Sequence, residues 1–427
     1  MSYRIAGIDV HKRMLAVTIA DVAVEGEYQF ERQLVGTSPN QLRVLAEWFV
    51  HEEVEEVVME STAQYWRPVW ETLEQYWQPI RRAQEGAGPT SGTLHLAQAQ
   101  SNRAPGGRKK DFPDAERLVR RLVAQELTLS FVPEVAQRLW RTVTRRKYQL
   151  TCNRVQLRNR LECLLEEAHI KVSSLVSDLL GLSGRRMLRA IAGGEADPST
   201  VAALGSPRLH ATPDQLRDAL GACIDLHPVY RRLLAMTLDE LDVIDGHIRQ
   251  LDEELAQLLR QQQQAVERLA AVPGLGVDSA QQIIAEVGPT AATFATAKRL
   301  ASWVGACPGH DESAGVNHSH RSPNGNRQMR RLLNQAANAA VKTKGSIFEL
   351  VYRRLVVRLG HAQAIGAVAH RLCRLVWKIL HDHVAYEERG PAVTKDRARR
   401  RAAKMIRELR SLGYRVDLAG APSESPA

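Results

Sequence analysis

Four acidic residues of this sequence stand where carboxylates could bind metal ions. Asp9 lies in the apolar run RIAGIDV, and Glu60 lies near the end of a second run, EEVVMES. Asp111 and Asp114 are three residues apart at the start of a predicted helix, so both side chains can face the same side. Four converging carboxylates would repel one another unless cations lay between them. Two Mg²⁺ ions about 4 Å apart stabilise the attacking and leaving oxygens of phosphoryl transfer. The four acids therefore predict a two-metal site that acts on a phosphodiester.

Each acid also has a simpler interpretation, which stays open at this point. Asp114 suits the first turn of any helix, because a negative charge there interacts favourably with the helix dipole. Asp9 and Glu60 are harder to explain in this way, since each ends a strongly apolar strand where an acid is otherwise unwelcome.

The elements that must position these acids follow from the pattern of apolar residues. Residues 1–36 predict three strands, and Ser38-Pro39-Asn40 begins a helix. A strand ending at Glu60, a helix over 67–77, the strand TLHLAQA and a helix from Pro113 to Leu127 follow. This order, β-β-β-α-β-α-β-α, predicts an α/β domain of the ribonuclease-H type over residues 1–132. Strand ends that are distant in sequence lie side by side in such a sheet.

The middle of the chain predicts long helices. Residues 133–167 are helical in pattern, and Val229 to Leu269 carries leucine or isoleucine every three or four residues. This repeat favours a coiled-coil or helical-hairpin linker over 133–265, with a dimer contact. A long helix packed on its own domain would give the same pattern. Glycine-punctuated helices then predict a mainly α-helical domain over 266–390, before a basic, partly disordered tail over 391–427.

Positive charge is concentrated in two segments. The net charge is +10, and the segment from Arg141 to Arg160 holds seven basic residues, Arg145, Arg146 and Lys147 among them, and no acid. The segment from Arg389 to Arg415 holds ten basic residues against two acids. Such patches suit a polyanion, because each neutralised phosphate releases a counterion. One charge run could be a solvated helix face, but two favour a nucleic-acid partner.

Several classes of protein are excluded by what the sequence lacks. No apolar run approaches the ~20 residues of a membrane span, and the first residues, MSYRIAGIDVHK, do not form a signal peptide. We therefore expect a cytoplasmic protein. The five scattered cysteines form no C-x-x-C pair, which argues against a zinc knuckle and a disulfide framework. We expect them to be small buried residues.

Two segments near the C-terminus could bind or attack phosphate. VPGLGVDSA places Gly274 and Gly276 before a helix, where backbone N–H groups can bind an anion as in a helix-hairpin-helix, or merely start the helix. Ser313 lies in the polar stretch CPGHDESAGVNHSHRSPNGNRQMR, with Arg321, Arg327 and Arg330 nearby. A serine nucleophile needs a base or a metal to activate it, together with positively charged groups that neutralise the phosphate under attack. By composition alone such a serine is more often structural, and Ser319 and Ser322 are alternatives.

The motifs GIDVHK, VVMES and K-x-D-x-x-D-A-E-R-L resemble the N-terminal domain of the DEDD-motif transposases of the insertion-sequence one-ten family. That domain is similar to the RuvC-like fold of Holliday-junction resolvases. The resemblance puts the metal ligands on Asp9, Glu60, Asp111 and Asp114. It departs at Lys110, where many members have threonine. P-G-x-x-E-S-A-G and the turn Gly325-Asn326-Arg327 resemble the family's C-terminal transposase domain, which puts the nucleophile on Ser313.

The resemblance implies a transposase or site-specific DNA recombinase associated with the bacterial nucleoid. It would cut and rejoin donor and target DNA through two Mg²⁺ ions and a serine nucleophile, as a homodimer or homotetramer guided by a bridge RNA. Two alternatives remain: a metal-dependent resolvase that uses water, with Ser313 structural, and a non-catalytic DNA-binding protein. The predicted nucleic-acid contacts are Arg145, Arg146, Lys147, Gly274, Gly276, Arg321, Asn326, Arg327 and Arg330.

Overall fold

The computed structural model describes residues 3–22, 28–61, 63–84, 88–89, 91–99, 102, 111–309, 312–313, 316–317, 322–390, 403 and 406–407. For residues 312–313 and 316–317 it describes the backbone alone. The chain forms two compact units, Met1–Pro133 and Glu134–Ala427. The predicted basic tail therefore lies almost entirely outside the described residues.

The first unit is built on a mixed six-stranded sheet of order β3-β2-β1-β4-β5-β6. β1 runs antiparallel to β2 and parallel to β4, so the strand that carries Asp9 lies inside the sheet. β5 is parallel to β4, while β3 and β6 are antiparallel to their neighbours. The strands are β1 (Arg4–Val10), β2 (Met14–Asp21), β3 (Phe30–Gly36), β4 (Val54–Glu60), β5 (Thr93–Ala97) and β6 (Leu129–Ser130).

Helices cover both faces of this sheet. On one face, Leu45 and Phe49 join Trp70 in a core with Ile8 and Met59. On the other face, a second cluster forms from helix α4 and the remaining strand residues. The helices of this unit are α1 (Pro39–His51), α2 (Trp66–Tyr76), α3 (Gln78–Ala83) and α4 (Asp111–Val123). The predicted β-β-β-α-β-α-β-α order is confirmed, with α3 and the two-residue strand β6 as additions.

The described part of the second unit is mostly helical, and its short strands β7 and β8, of two residues each, pair antiparallel. One hydrophobic core joins residues between Leu157 and Leu241, and a separate core joins Trp140 to residues between Leu255 and Leu380. Its elements are α5 (Val135–Glu167), α6 (Leu182–Ala192), α7 (Pro198–Ala203), α8 (Pro213–Ala219), α9 (Pro228–Leu258), α10 (Gln263–Ala270), α11 (Val277–Val287), α12 (Ala297–Val304), β7 (Glu312–Ser313), β8 (Val316–Asn317), α13 (Arg327–Ala340) and α14 (Ile347–His381).

The long helix predicted over 229–269 is shorter than expected. α9 ends at Leu258, and a 3₁₀ turn over Arg260–Gln262 leads into α10. Leu234 and Leu238 of α9 pack in one core with Leu157 and Leu161 of α5. The buried part of the leucine repeat therefore packs within the chain, and the predicted dimer contact remains a prediction.

α14 is divided by a break at Gly360, whose φ of 74° and ψ of 173° are not helical. Only glycine adopts such angles without steric cost. A hydrogen bond of 2.9 Å joins the Tyr352 hydroxyl to His361 Nδ1 across the break. α14 therefore consists of two helical halves.

The cysteines fit their predicted role only in part. Cys223 and Cys373 are buried, and burial raises the pKa of the Cys223 thiol to about 11 and that of Cys373 to about 12. Cys163 is exposed, so the expectation of a buried residue is wrong there. Among the described residues, no helix combines the length and apolar character needed to span a bilayer.

Candidate active site

Two of the predicted ligands lie at one edge of the sheet because their strands are parallel neighbours. Ile8 of β1 pairs with Met59 of β4, and Asp9 and Glu60 follow directly. Successive side chains of a strand point to opposite faces. Asp9 therefore shares a face with Ile5, and Glu60 shares it with Val58. Ile5 and Val58 belong to the core beneath α4, so both acids project toward that helix.

Gly7 brings α4 close to the end of β1. A Cβ at this glycine would stand 2.4 Å from the backbone oxygen of Ala115 and 2.9 Å from Cγ2 of Val119. Since no real Cβ tolerates such contacts, the absence of a side chain lets the helix lie directly on the strand. The first turn of α4 carries Asp111 and Asp114, and the close packing brings both acids to the edge where β1 ends.

His11 joins the acids, although it is not among the sequence-predicted ligands. Its backbone N–H donates to the Met14 oxygen at 3.1 Å, which closes the tight turn between β1 and β2. Because His11 follows Asp9 by two residues, both side chains point to the same face. His11 Nε2 lies 3.1 Å from Asp9 Oδ2 and 3.5 Å from Asp111 Oδ1. The Asp-x-His spacing at a strand end was the sequence signal for this residue.

Asp9, His11 and Asp111 form a group that could hold a metal ion, with one ligand atom of each within 4.8 Å of the others. The pKa of Asp9 is raised above its usual value, first by burial and then by the negative charges of Asp114, Glu60 and Asp111, while His11 opposes the shift. The acids thus lie near enough to repel one another. A divalent cation would relieve that repulsion, so the donor set fits such an ion.

Glu60 and Asp114 lie beside this group and are held by two further residues. Asn102, which is 1% exposed, donates from Nδ2 to Glu60 Oε2 at 2.9 Å. Arg117 donates from Nη2 to Asp114 Oδ1 at 2.8 Å and from Nε to the Asn102 backbone oxygen at 3.1 Å. The chain of contacts fixes both carboxylates, and each retains a second oxygen for a metal. Arg117 is detectable from its i,i+3 spacing to Asp114, whereas no local pattern identifies Asn102.

The predicted nucleophile lies in the second unit. Ser313 belongs to β7, and its backbone pairs with Val316 of β8. Arg321 and Ser319 fall outside the described residues, and Ser322 is exposed. The position of the Ser313 backbone is therefore described, but its chemical role remains a prediction.

A cavity of about 790 Å³ lies between the chain around Cys307, α13 and α14. Gly309 and Ser322, which flank residues 310–321 in the sequence, both line it. Its basic lining residues come from two helices. They are Arg330 of α13 and His370, Arg371 and Arg374 of α14.

Two of the basic residues predicted to bind nucleic acid are engaged within the chain. Arg145 donates from Nε and Nη2 to the two oxygens of Glu286, at 2.8 and 2.9 Å. Lys147, whose side chain is 12% exposed, is paired with Asp252 and Asp278. Arg146, by contrast, is exposed. The basic residues of the acid-free segment are thus largely paired with acids of the same chain.

Glu286 is the buried centre of one of these ion-pair networks. It is 4% exposed and also accepts a hydrogen bond from Asn326 Nδ2 at 2.9 Å. Burial alone would raise its pKa, but Arg145, Arg141 and Asn326 together lower the pKa below its usual value. Asn326 also caps α13, since its Oδ1 accepts from the Met329 N–H at 2.9 Å. The side chain of Asn326 is therefore already hydrogen-bonded within the chain, and its predicted contact with nucleic acid stays a prediction.

The two predicted glycines differ in their surroundings. Gly274 has a φ of +85°, and a Cβ there would stand 2.3 Å from the Ala336 oxygen. It is needed for packing against α13, which favours the structural interpretation. A Cβ added at Gly276, which precedes α11, would meet nothing within 4 Å, and the first turn of that helix carries Asp278. The Asp278 carboxylate is ion-paired with Lys147, and the anion-binding role of Gly276 stays a prediction. Arg327, at the start of α13, is exposed.

Comparisons with known proteins match both units. Residues 6–170 match the family model DEDD_Tnp_IS110, described as a transposase, and residues 266–353 match the model of the transposase IS116/IS110/IS902 family. The chain is 28% identical over 187 residues to the insertion element IS900 uncharacterized 42 kDa protein of Mycobacterium paratuberculosis, covering 43% of this chain and 45% of that protein. It is 30% identical over 125 residues to the insertion element IS110 uncharacterized 43.6 kDa protein of Streptomyces coelicolor, covering 29% and 31%.

The matched stretches thus span less than half of either relative's length. Among solved structures, Thermus thermophilus RuvC matches 30% of this chain and 99% of its own, at 11% identity and a TM-score of 0.23.

Proposed function

The chain belongs to the IS110 family of transposases, and from that premise we propose that it cuts and rejoins DNA by metal-assisted phosphoryl transfer. The observation that carries the proposal is the meeting of Asp9, His11 and Asp111 at one edge of the sheet, with Glu60 and Asp114 beside them. Negative charge collected in this way is costly without a cation. A phosphodiester is the substrate for which such a cation site is useful.

The protein's own residues have distinct roles in this proposal. Asp9, Glu60, Asp111 and Asp114 would hold two Mg²⁺ ions. Bound ions supply Lewis-acid stabilisation of the attacking and leaving oxygens. Asn102 and Arg117 are positioning residues, since they hold Glu60 and Asp114 through hydrogen bonds. Outer partners of this kind keep ligands oriented and are important for metal affinity.

Ser313 provides the nucleophile in the proposal. Its hydroxyl oxygen attacks a DNA phosphorus and displaces the strand's own oxygen. The serine proton passes to that leaving oxygen, and the DNA remains attached as a phosphoserine diester. A hydroxyl of the second strand then attacks the same phosphorus, the bond from phosphorus to the serine oxygen breaks, and the proton of that hydroxyl passes to the serine oxygen. The exchange rejoins DNA without any external energy source. The arginines of the cavity lined by Gly309 and Ser322, which are Arg330, Arg371 and Arg374, offset the phosphate charge in this proposal.

The proposed partners are donor and target DNA, a bridge RNA and further copies of the chain. A homodimer or homotetramer would bring Ser313 and the four acids to one phosphodiester. The RNA and the oligomer follow from the family resemblance, and the charge of +10 is compatible with a nucleic-acid partner.

The test is a recombination assay with the purified protein, its flanking transcript and paired donor and target DNA. Replacing Asp9 by Asn should abolish strand exchange and leave DNA binding intact, because the change removes charge but keeps shape. A stalled protein–DNA adduct should form with the unmodified protein, disappear in Ser313→Ala and persist in Ser322→Ala. Strand cleavage without any adduct would instead favour a water-using resolvase. DNA binding without cleavage would favour a non-catalytic binding protein.

A further inference from the structure

We propose that His11 is itself a metal ligand, so that one ion of the site is bound by an imidazole nitrogen as well as by carboxylate oxygens. The inference rests on the proposed metal site and deepens it, because the four predicted acids alone would form an all-oxygen site. It gives the site a preference among divalent metals.

The position of His11 is fixed by the fold. Val10 pairs with Leu15, and the His11 N–H donates to Met14, so only Lys12 and Arg13 form the turn. A two-residue hairpin leaves little freedom to the residue that precedes it. The backbone therefore holds His11 on the face that also carries Asp9.

The spacing of the ligand atoms suits a shared ion. Metal–ligand bonds of about 2.1 Å at right angles put neighbouring ligand atoms roughly 3 Å apart. His11 Nε2 lies 3.1 Å from Asp9 Oδ2 and 3.5 Å from Asp111 Oδ1, close to that separation. The same three side chains supply ligand atoms that all lie within 4.8 Å of one another. A cation between them needs only small side-chain adjustments.

The chemistry of the set predicts which ions it favours. Mg²⁺ prefers oxygen ligands and retains water, whereas imidazole is a good ligand for first-row transition metals. A site with two carboxylates and an imidazole should therefore bind Mn²⁺ more tightly, relative to Mg²⁺, than a site of carboxylates alone. His11 is half-exposed, at 51% of its side chain, so an ion can reach it from solvent.

The competing explanation is a simple ion pair, in which a protonated His11 neutralises Asp9 and Asp111. In that case the imidazole has no free electron pair directed at a metal, and it would leave or remain apart when an ion binds. The two explanations differ in whether histidine nitrogen is bonded to the bound ion. That difference is measurable without any DNA substrate.

The experiment is pulsed electron paramagnetic resonance of Mn²⁺ bound to the full-length protein, with ¹⁵N-labelled histidine to assign the nitrogen. The unmodified protein should show histidine-nitrogen coupling. His11→Gln should lose the coupling and bind Mn²⁺ at least about tenfold more weakly, with a smaller loss for Mg²⁺. His51→Gln is the matched control, because His51 is an exposed histidine of the same unit at the end of α1. It should leave coupling and affinity unchanged.

A second variant separates loss of a ligand from loss of the fold. His11→Asp restores an oxygen ligand, so it should bind Mg²⁺ at least as tightly as the unmodified protein and show no nitrogen coupling. Mn²⁺ bound to the unmodified protein without histidine coupling would overturn the proposal and leave the metal site standing. Failure of the unmodified protein to bind Mn²⁺ or Mg²⁺ would overturn both, since the metal site itself would then be wrong.

Discussion

Gly7 of β1 and Ala115 of α4 are in such close contact that a Cβ on the glycine would stand 2.4 Å from the alanine's backbone oxygen. The strand that carries Asp9 and the helix that carries Asp111 and Asp114 meet at this contact. The geometry of the candidate site therefore depends on a residue that contributes no ligand.

Gly7→Ala should move α4 away from β1 and weaken metal binding more than a remote substitution does. Overpacking of this kind costs about 1–3 kcal/mol, measured as the free energy of unfolding in denaturant. Titration calorimetry with Mn²⁺ should show weaker binding in the folded variant. The control is Gly246→Ala in α9, where nothing lies within 4 Å of the added Cβ. It should leave metal binding unchanged, and unaltered binding in Gly7→Ala would contradict the dependence.

Asn102→Ala should lower metal affinity while leaving the fold largely intact. The change releases Glu60 Oε2 and removes the 3.3 Å bond from Arg117 Nε to Asn102 Oδ1, while the bond from Arg117 to the Asn102 backbone oxygen remains. Glu60 therefore loses its fixed orientation. Loss of an outer hydrogen-bond partner typically costs 10–100-fold in affinity. Calorimetry with Mn²⁺ measures the effect, and Asn40→Ala on the exposed side of α1 is the control. Equal affinities for the two variants would show that Asn102 has no positioning role.

Glu286→Gln should remove a contribution to the free energy of unfolding that the unmodified protein loses at acid pH. The pKa of Glu286 is below its usual value of 4.5 in the folded protein. Folding therefore favours the ionised carboxylate, and the stabilisation is present above about pH 4.5 and lost as the pH falls through the folded-state pKa. The free energy of unfolding, measured from about pH 3 to about pH 7, should depend less on pH in the variant than in the unmodified protein.

The size of the loss at neutral pH follows from the burial of the pair. Breaking a buried ion pair costs about 3–5 kcal/mol, and the lower end applies because the Arg145 side chain is 38% exposed. Glu254→Gln, at an exposed position of α9, is the control and should change stability little. A pH dependence in Glu286→Gln identical to that of the unmodified protein would contradict the prediction.

Arg371→Ala and Arg374→Ala should weaken DNA binding across all sequences. Both residues line the cavity that Gly309 and Ser322 also line, and a phosphate contact contributes through counterion release. Each variant should lower the slope of log affinity against log salt concentration by about one. The control is Arg208→Ala, an exposed arginine between α7 and α8. Salt slopes that match that control would exclude the cavity from phosphate binding.

Much of the first unit was predictable from the sequence because its signals are local. Alternation and apolar runs identified the five main strands, and Ser38-Pro39 correctly predicted the start of α1. The edge strand β6 has two residues, too few for a periodic pattern. The break after Leu258 was missed because no glycine or proline marks it. Leu255 and Leu259 on either side are both buried in the core of α10–α14, so tertiary packing decides the break.

The candidate site shows the same division. Asp9 and Glu60 were identifiable because acids at the ends of apolar strands are conspicuous. Asn102 was not, since its role comes from contacts with residues distant in sequence. The run of basic residues around Arg145 suggested a surface for nucleic acid, but Arg145 is paired with Glu286, which lies far along the chain. A sequence shows charges directly but shows their partners only after folding.

The break at Gly360 has a mechanical consequence. A continuous α-helix transmits bending along its length like a rod, but a residue at φ 74° and ψ 173° interrupts the ladder of bonds that makes it stiff. α14 therefore behaves as two short stiff segments that meet at a joint at Gly360, and the hydrogen bond between Tyr352 and His361 links them across it. Phe348 and Leu355 before the break pack in the same core as Leu372 after it, so a force on the first half reaches Arg371 and Arg374 through that core as well as through the joint.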